Sequence, residues 1–308
     1  MPRLLSAPTR MVRSRVFDSS RWDGYRPRPD DIIIGTHAKC GTTWMQRIVG
    51  MLVFASAAPQ PLGAISPWFD MRMSGPLEAA LATAEAQTHR RFLKTHLPLD
   101  AMPIYEGVKF IHVARDGRDA ALSMHNHLLN FTAETLQRFD AVCVADPKFG
   151  DRYPRAPTSP AEFFTDWMAD GGARGDPGAS FFHTENSYWE ARSSPDMLLV
   201  HYNDLKADRG GEMRRVAAYL GIEIAETLWP ELIEAASFES MKSQGDTLLP
   251  GARSVWTGGA SRFINQGANG RWQGVFFPED LERYQEAVER HFAPDLADWV
   301  ANGRLGGG

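Results

Sequence analysis

Cysteine is nearly absent: Cys40 and Cys143 are the two in 308 residues. Two thiols cannot build a disulfide framework, so a cytoplasmic, reducing compartment is the expectation. Long apolar runs are missing as well. The longest, Ile48–Ala58, is too short for a bilayer and reads as a buried helix, so no membrane partner is expected. Residues 1–15 carry arginines without an apolar segment of secretory length. A frayed terminus fits them better than an organelle-targeting peptide. Nor is there an excess of basic charge. Lys and Arg number 33 against 38 Asp and Glu, a net charge of −5. That balance speaks against a chain built to hold nucleic acid, although a local basic cleft is compatible with it. Internal repeats and low-complexity tracts are lacking. With 43% hydrophobic, 11% aromatic and 23% charged residues, disordered and fibrous classes are excluded and a sizeable core is within reach.

What is present is an alternation of short strands and helices. Asp31–Gly35 is a β-branched run ending in glycine, as a buried parallel strand does where it opens onto a loop. From Gly41 to Ala55, Trp44, Met45, Ile48, Val49, Leu52 and Val53 recur at helical spacing. Arg91–Lys94, Val108–Ala114 and Met197–His201 read as further strands, and Glu212–Leu220 as a helix capped by Gly221. The pattern predicts an α/β fold, a single doubly wound parallel sheet whose ligands lie beyond the carboxyl ends of the strands. Residues 28–300 would form that domain, after an N-terminal extension over 1–27 and before a flexible tail over 301–308. Residues 130–182, rich in Pro, Gly and Asp, read as an acceptor-side insertion or lid without a strand or long helix of its own. Phe163, Phe164 and Trp167 within it read as helix core.

The chemistry concentrates in loops at strand ends. Thr36–Trp44 (THAKCGTTW) joins a strand to a helix. Backbone N–H groups at a helix N-terminus beside a glycine make an anion site, to which Lys39 adds charge and Thr42 and Thr43 add hydroxyl donors. A Walker A loop places its lysine after the second glycine. Here Lys39 precedes Gly41 and no Mg²⁺ carboxylate follows a later strand, so a nucleotide kinase is the weaker reading.

In these residues the chain resembles the cytosolic sulfotransferases, which move a sulfuryl group from 3′-phosphoadenosine 5′-phosphosulfate (PAPS) to an acceptor hydroxyl or amine, leaving PAP. The family's 5′-phosphosulfate loop, T-(Y/F)-P-K-(S/A)-G-T-T-W, is similar to Thr36–Trp44, with His37, Ala38 and Cys40 as substitutions. The likeness continues in order through Lys94–Pro98, Arg115–Ser123, Tyr202–Lys206 and Gly267–Trp272, covering about residues 30–290. It implies a P-loop-like sulfotransferase fold with PAPS as co-substrate and no metal. It implies that Lys39 acts at the bridging oxygen of the leaving phosphate, with Cys40, Gly41, Thr42 and Thr43 around that phosphate and Trp44 against adenine. His96 would be the general base and Lys94 would stabilise the transferring group. An imidazole with an ordinary pKa near 6.5 suits the base's task at neutral pH. Arg115 and Ser123 match the 3′-phosphate motif; Tyr202, Ser237 and Phe238 match nucleotide-side positions, as does Phe263–Ile264–Asn265–Gln266–Gly267.

That last segment departs from the family, which has Arg-Lys where this chain has Asn265–Gln266. One of Arg262 and Arg271 is expected to supply the missing charge. The family's dimer motif is degraded too, with Gln273, Phe277 and Pro278 in place of its Lys, Thr and Val and Glu282 retained, which leaves a homodimer open. The expected partner is a small alcohol, phenol or amine held among aromatics of Pro67–Phe69 and of 130–182. The alternative is a homologue that binds PAPS or PAP with little or no turnover.

Overall fold

Three consecutive isoleucines, Ile32–Ile34, have no exposed face to spare, and all are fully buried. The computed structural model describes residues 1–173 and 176–306. Its strands are β1 (Leu4–Ser6), β2 (Ile32–Gly35), β3 (Phe92–Thr95), β4 (Ile104–Tyr105), β5 (Lys109–Ala114) and β6 (Met197–His201). The longer helices are α1 (Thr42–Phe54), α2 (Leu77–Glu85), α3 (Gly117–Leu129), α4 (Ala133–Val144), α5 (Pro160–Asp170), α6 (Phe181–Glu190), α7 (Arg209–Leu220), α8 (Pro278–His291) and α9 (Pro294–Asn302).

The central sheet runs β3-β2-β5-β6, all parallel. Because side chains alternate along a strand, Ile32 and Ile34 face a cluster with Ile48, Val49 and Leu52 of α1 and Met213 and Val216 of α7. Ile33 faces the opposite cluster, with Leu93, Phe110 and Tyr188. The fold is therefore α/β and doubly wound, as the alternation predicted. The chain leaves β2 for β3 on one side and returns to β5 on the other. That reversal opens a crevice at the carboxyl ends of β2 and β5.

Three expectations need correction. The N-terminus is not frayed: β1 pairs antiparallel with β4, and Val12, Val16 and Phe17 are buried. Ser14 holds the turn by accepting from the backbone N–H groups of Val16 and Phe17 at 3.1 and 2.9 Å. Residues 130–182 do contain long helices, α4 and α5. Their signals are local: Thr132 and Ser159 cap the first turns, Pro160 follows Ser159, and Gly171 ends α5 at φ +62°. Phe163, Phe164 and Trp167 of α5 are core, as read. The tail is tied as far as the structure describes it. The N–H groups of Arg304 and Leu305 both donate to the Asp204 carboxylate at 2.9 Å, while Gly307 and Gly308 lie outside the described residues.

The entry to β2 is clamped to β3 by a buried ion pair. Arg91 Nε donates to Asp31 Oδ1 at 2.9 Å, and the Tyr25 hydroxyl donates to Asp31 Oδ2 at 2.6 Å. Both charged side chains are 1% exposed. Removing one partner of such a pair strands the other charge, at a cost of about 3–5 kcal/mol. Arg91→Gln should lower unfolding free energy by that amount in urea titrations. A loss below about 1 kcal/mol, the range of surface pairs, would mean the pair is solvated.

Candidate active site

The loop after β2 is shaped by close approach. A Cβ on Gly35 would lie 2.0 Å from the Tyr188 hydroxyl, so the strand must end in glycine. Lys39 adopts φ +72° and Gly41 φ +120°, folding the chain back onto the start of α1. A Cβ on Gly41 would meet Tyr202 and Val113 at 3.2 Å. Gly41 is the N-cap of α1 and offers no side chain to the first-turn N–H groups. Those donors and the positive end of a 13-residue helix face the crevice, an arrangement made for an anion.

Thr36 ties this loop to the next one. Its hydroxyl bonds the Thr42 hydroxyl, and its carbonyl lies 2.9 Å from His96 Nδ1. A carbonyl only accepts, so Nδ1 carries the proton and Nε2 is the lone-pair nitrogen. The His96 ring stands edge-on to Trp68 at 4.9 Å between centroids. Lys94, one strand position before Thr95, seats its ammonium 4.1 Å over the same indole. Desolvation in the cavity pulls the Lys94 pKa down to about 8, against the raising influence of the Asp70 charge.

On the far side, Arg115 at the end of β5 donates to the Asn269 carboxamide at 2.7 and 3.2 Å and to the Ala268 carbonyl at 3.1 Å. Its guanidinium lies 4.2 Å over the Tyr202 ring. Tyr202 stands edge-on to Trp44, whose indole N–H is anchored on the Ala236 carbonyl at 2.9 Å. Asp119 accepts from Gly270 N–H at 3.0 and 3.1 Å and so fixes the loop after Gly267. Gly267 itself sits at φ +63° against Phe238, where a Cβ would lie 2.5 Å away.

One cavity of about 800 Å³ joins these parts. Of the residues singled out from sequence, Lys39, Gly41, Thr42, Thr43, Trp44, Lys94, His96, Arg115, Ser123, Tyr202, Phe238, Phe263, Ile264, Asn265, Gln266 and Gly267 line it. Cys40 and Ser237 do not. Cys40 is fully buried, and burial pushes its thiol pKa up, which keeps it protonated and inert. Ser237 caps the short helix Phe238–Ser243, accepting from Ser240 N–H at 3.1 Å. Arg271 lines the cavity and Arg262 does not. Several residues escaped the sequence reading: Thr36 as a link, Asn269 on Arg115, and Phe17, Met71, Met73 and Trp256 of the apolar wall, whereas Phe131 and Phe139 come from the 130–182 segment expected there. The apolar residues Val12, Val16, Phe17, Trp22 and Tyr25 inside an otherwise polar N-terminus were the available signal for the arm.

A family model described as Sulfotransferase domain matches residues 29–296. The chain belongs to the sulfotransferase family. It is 35% identical over 316 residues to a glycolipid sulfotransferase of Mycobacterium bovis (strain BCG / Pasteur 1173P2), covering 96% of this chain and 95% of that one. It is 27% identical over 290 residues to human sulfotransferase 1C2, covering 92% and 90%. Among solved structures it is similar to mouse sulfotransferase SULT7A1 complexed with PAP, with TM-score 0.67, 19% identity and coverage of 91% and 90%. It is also similar to retinol dehydratase in complex with retinol and PAP, with TM-score 0.68, 22% identity and coverage of 89% and 84%. The protein is an enzyme, a sulfotransferase, and the kinase reading falls.

The crevice fits a nucleotide of that kind, with uncapped N–H donors at α1 and aromatic faces at Trp44 and Tyr202. Gly41→Ala tests the loop. An alanine held at φ +120° carries about 1–3 kcal/mol of strain, so calorimetric PAP affinity should fall roughly tenfold or more. Unchanged affinity would show that the loop's shape does not set binding.

Proposed function

We propose that the enzyme transfers the sulfuryl group of PAPS to a hydroxyl on a largely apolar acceptor, with His96 as general base. The observation carrying this reading is the Nδ1 bond from His96 to the Thr36 carbonyl, which leaves Nε2 basic in a ring lining the cavity. His96 takes the acceptor's proton as the acceptor oxygen bonds to sulfur. The bond from sulfur to the phosphate oxygen breaks, leaving its electron pair on that oxygen. Lys39 neutralises the charge left there, and the α1 N-terminus with Thr42 and Thr43 holds the phosphate. Lys94, protonated, holds the sulfuryl oxygens. Arg115, Ser123 and Arg271 bind the 3′-phosphate. Arg271 supplies charge that Asn265 and Gln266 lack.

The apolar wall of Phe17, Trp68, Met71, Met73, Phe131, Phe139 and Trp256 supports an acceptor with substantial hydrophobic surface. The carboxylates lining the cavity are Asp119, committed to Gly270, and Glu239, beside Phe238. Neither stands at the apolar wall to receive an ammonium, which favours an alcohol or phenol over an amine. The name of the Mycobacterium relatives, glycolipid sulfotransferase, agrees with a hydroxyl on a lipid-like body. A cytoplasmic location is supported by two unpaired, buried cysteines. No helix among the described residues is long and apolar enough to cross a membrane.

The test is turnover of ³⁵S-labelled PAPS with matched alcohols, phenols and amines. His96→Ala should lose at least about 100-fold in kcat while keeping PAP affinity; retained turnover would remove His96 from the mechanism. Arg271→Ala should weaken PAP binding about ten- to a hundredfold, the worth of a charged hydrogen bond, and Arg262→Ala should leave it unchanged. Lys94 acts protonated, so activity should decline as pH rises through about 8. A plateau extending past pH ~10, the range of an ordinary lysine, would contradict that role.

A further inference from the structure

Directly behind Trp68 lies a carboxylate that the reaction scheme does not use. Asp70 is fully buried, and the groups that donate to it are neutral. Trp22 Nε1 donates to Oδ1 at 3.1 Å, Trp68 Nε1 to Oδ2 at 2.8 Å, and the His96 backbone N–H to Oδ2 at 3.3 Å. The segment carrying it is held from both sides. Trp68 bridges Lys94 at the edge of the sheet, Phe17 bridges Met71, and Asp18 N–H donates to the Asp70 carbonyl at 2.9 Å.

We propose that Asp70 is a positioning residue for the transfer reaction: its carboxylate fixes the Trp68 indole and the His96 backbone against each other and supplies the counter-charge that keeps Lys94 protonated. This rests on the functional reading above, in which Lys94 acts as a cation. The geometry makes one carboxylate common to both working groups. Oδ2 accepts from the indole that carries the Lys94 ammonium on its face and from the backbone of the base. A direct ion pair would occupy the ammonium. A carboxylate at the ring's N–H edge instead stabilises the positive charge while leaving the ammonium on the ring face.

Burial alone would neutralise such an acid. It raises the Asp70 pKa above the ordinary carboxylate value, and the donors from Trp68, Trp22, His96 and Thr95 oppose that rise without cancelling it. The titratable groups facing Asp70 are Lys94 and His96 at the end of β3 and Tyr188 on α6, whose hydroxyl burial keeps neutral. Lys94 is the one of these held near a mildly alkaline value, about 8. Removing a nearby opposite charge lowers a lysine's pKa by about one unit or more. With Asp70 neutral, Lys94 would lose its proton near pH ~7 instead of about 8.

Asp70→Asn is compared with the wild-type enzyme by two measurements. Competitive acylation read by mass spectrometry gives the pH midpoint of Lys94 reactivity without requiring turnover; the pH profile of kcat gives the alkaline limb. Both should move down by about one unit, and Asp70→Glu should restore part of each. Should the amide, whose NH₂ opposes the indole N–H groups, prevent folding, Asp70→Ser removes the same charge with a smaller acceptor. An unmoved labelling midpoint in a folded, charge-neutral variant overturns the proposal. A midpoint that moves without the alkaline limb leaves the counter-charge standing and removes Lys94 from the reaction, which is the failure of the functional reading instead.

Discussion

The site depends on two bonds made by one residue. Thr36, the first residue beyond β2, offers its carbonyl to the His96 ring and its hydroxyl to Thr42 at the start of α1. The His96 ring and the N-terminal end of α1 are thus fixed to the same residue. In-line displacement tolerates little error in the distance between attacking and leaving oxygens, and neither loop could hold that distance alone. The sheet supplies the rest, since β2 and β3 pair in register with Gly35 opposite Thr95.

Around this link the charges are organised in an uncommon way for a chain of net charge −5. Lys39, Lys94 and Arg115 each rest on an aromatic ring, Phe263, Trp68 and Tyr202, at 4.1, 4.1 and 4.2 Å. Ring faces orient a cation without cancelling it, whereas a carboxylate partner would have to be displaced before an anionic substrate could bind. Elsewhere a buried arginine is paired with an acid, as at Arg91 and Asp31.

Much of this was legible in the residues. The Ile32–Ile34 run, the glycine that ends it and the 3.6-residue spacing after Gly41 fixed the first strand, loop and helix. Order and spacing of the motifs singled out Lys39, Lys94, His96, Arg115 and Tyr202, all of which line the one cavity. What escaped is long-range. Cys40 stands inside the motif yet turns into the core, because the left-handed Lys39 reverses the chain before it. Ser237 is spent on capping its own helix. Asp70 stands between Phe69 and Met71 as a lone acid in an apolar stretch; only the folded arrangement of Trp22, Trp68 and His96 about it reveals a carboxylate without solvent. The helices of 133–170 were hidden by composition, although the Ser159–Pro160 start and Gly171 stop were there to be found.

The N-terminal arm has a wider meaning. Phe17 reaches the Trp68 and His96 rings, and the arm is fastened from outside through Arg10 to Asp100 and Arg13 to Asp146. The donor half of the chamber owes nothing to this stretch. A change at Phe17 therefore reaches the Trp68 and His96 rings first, while the loops carrying Lys39 and Arg115 keep supports of their own.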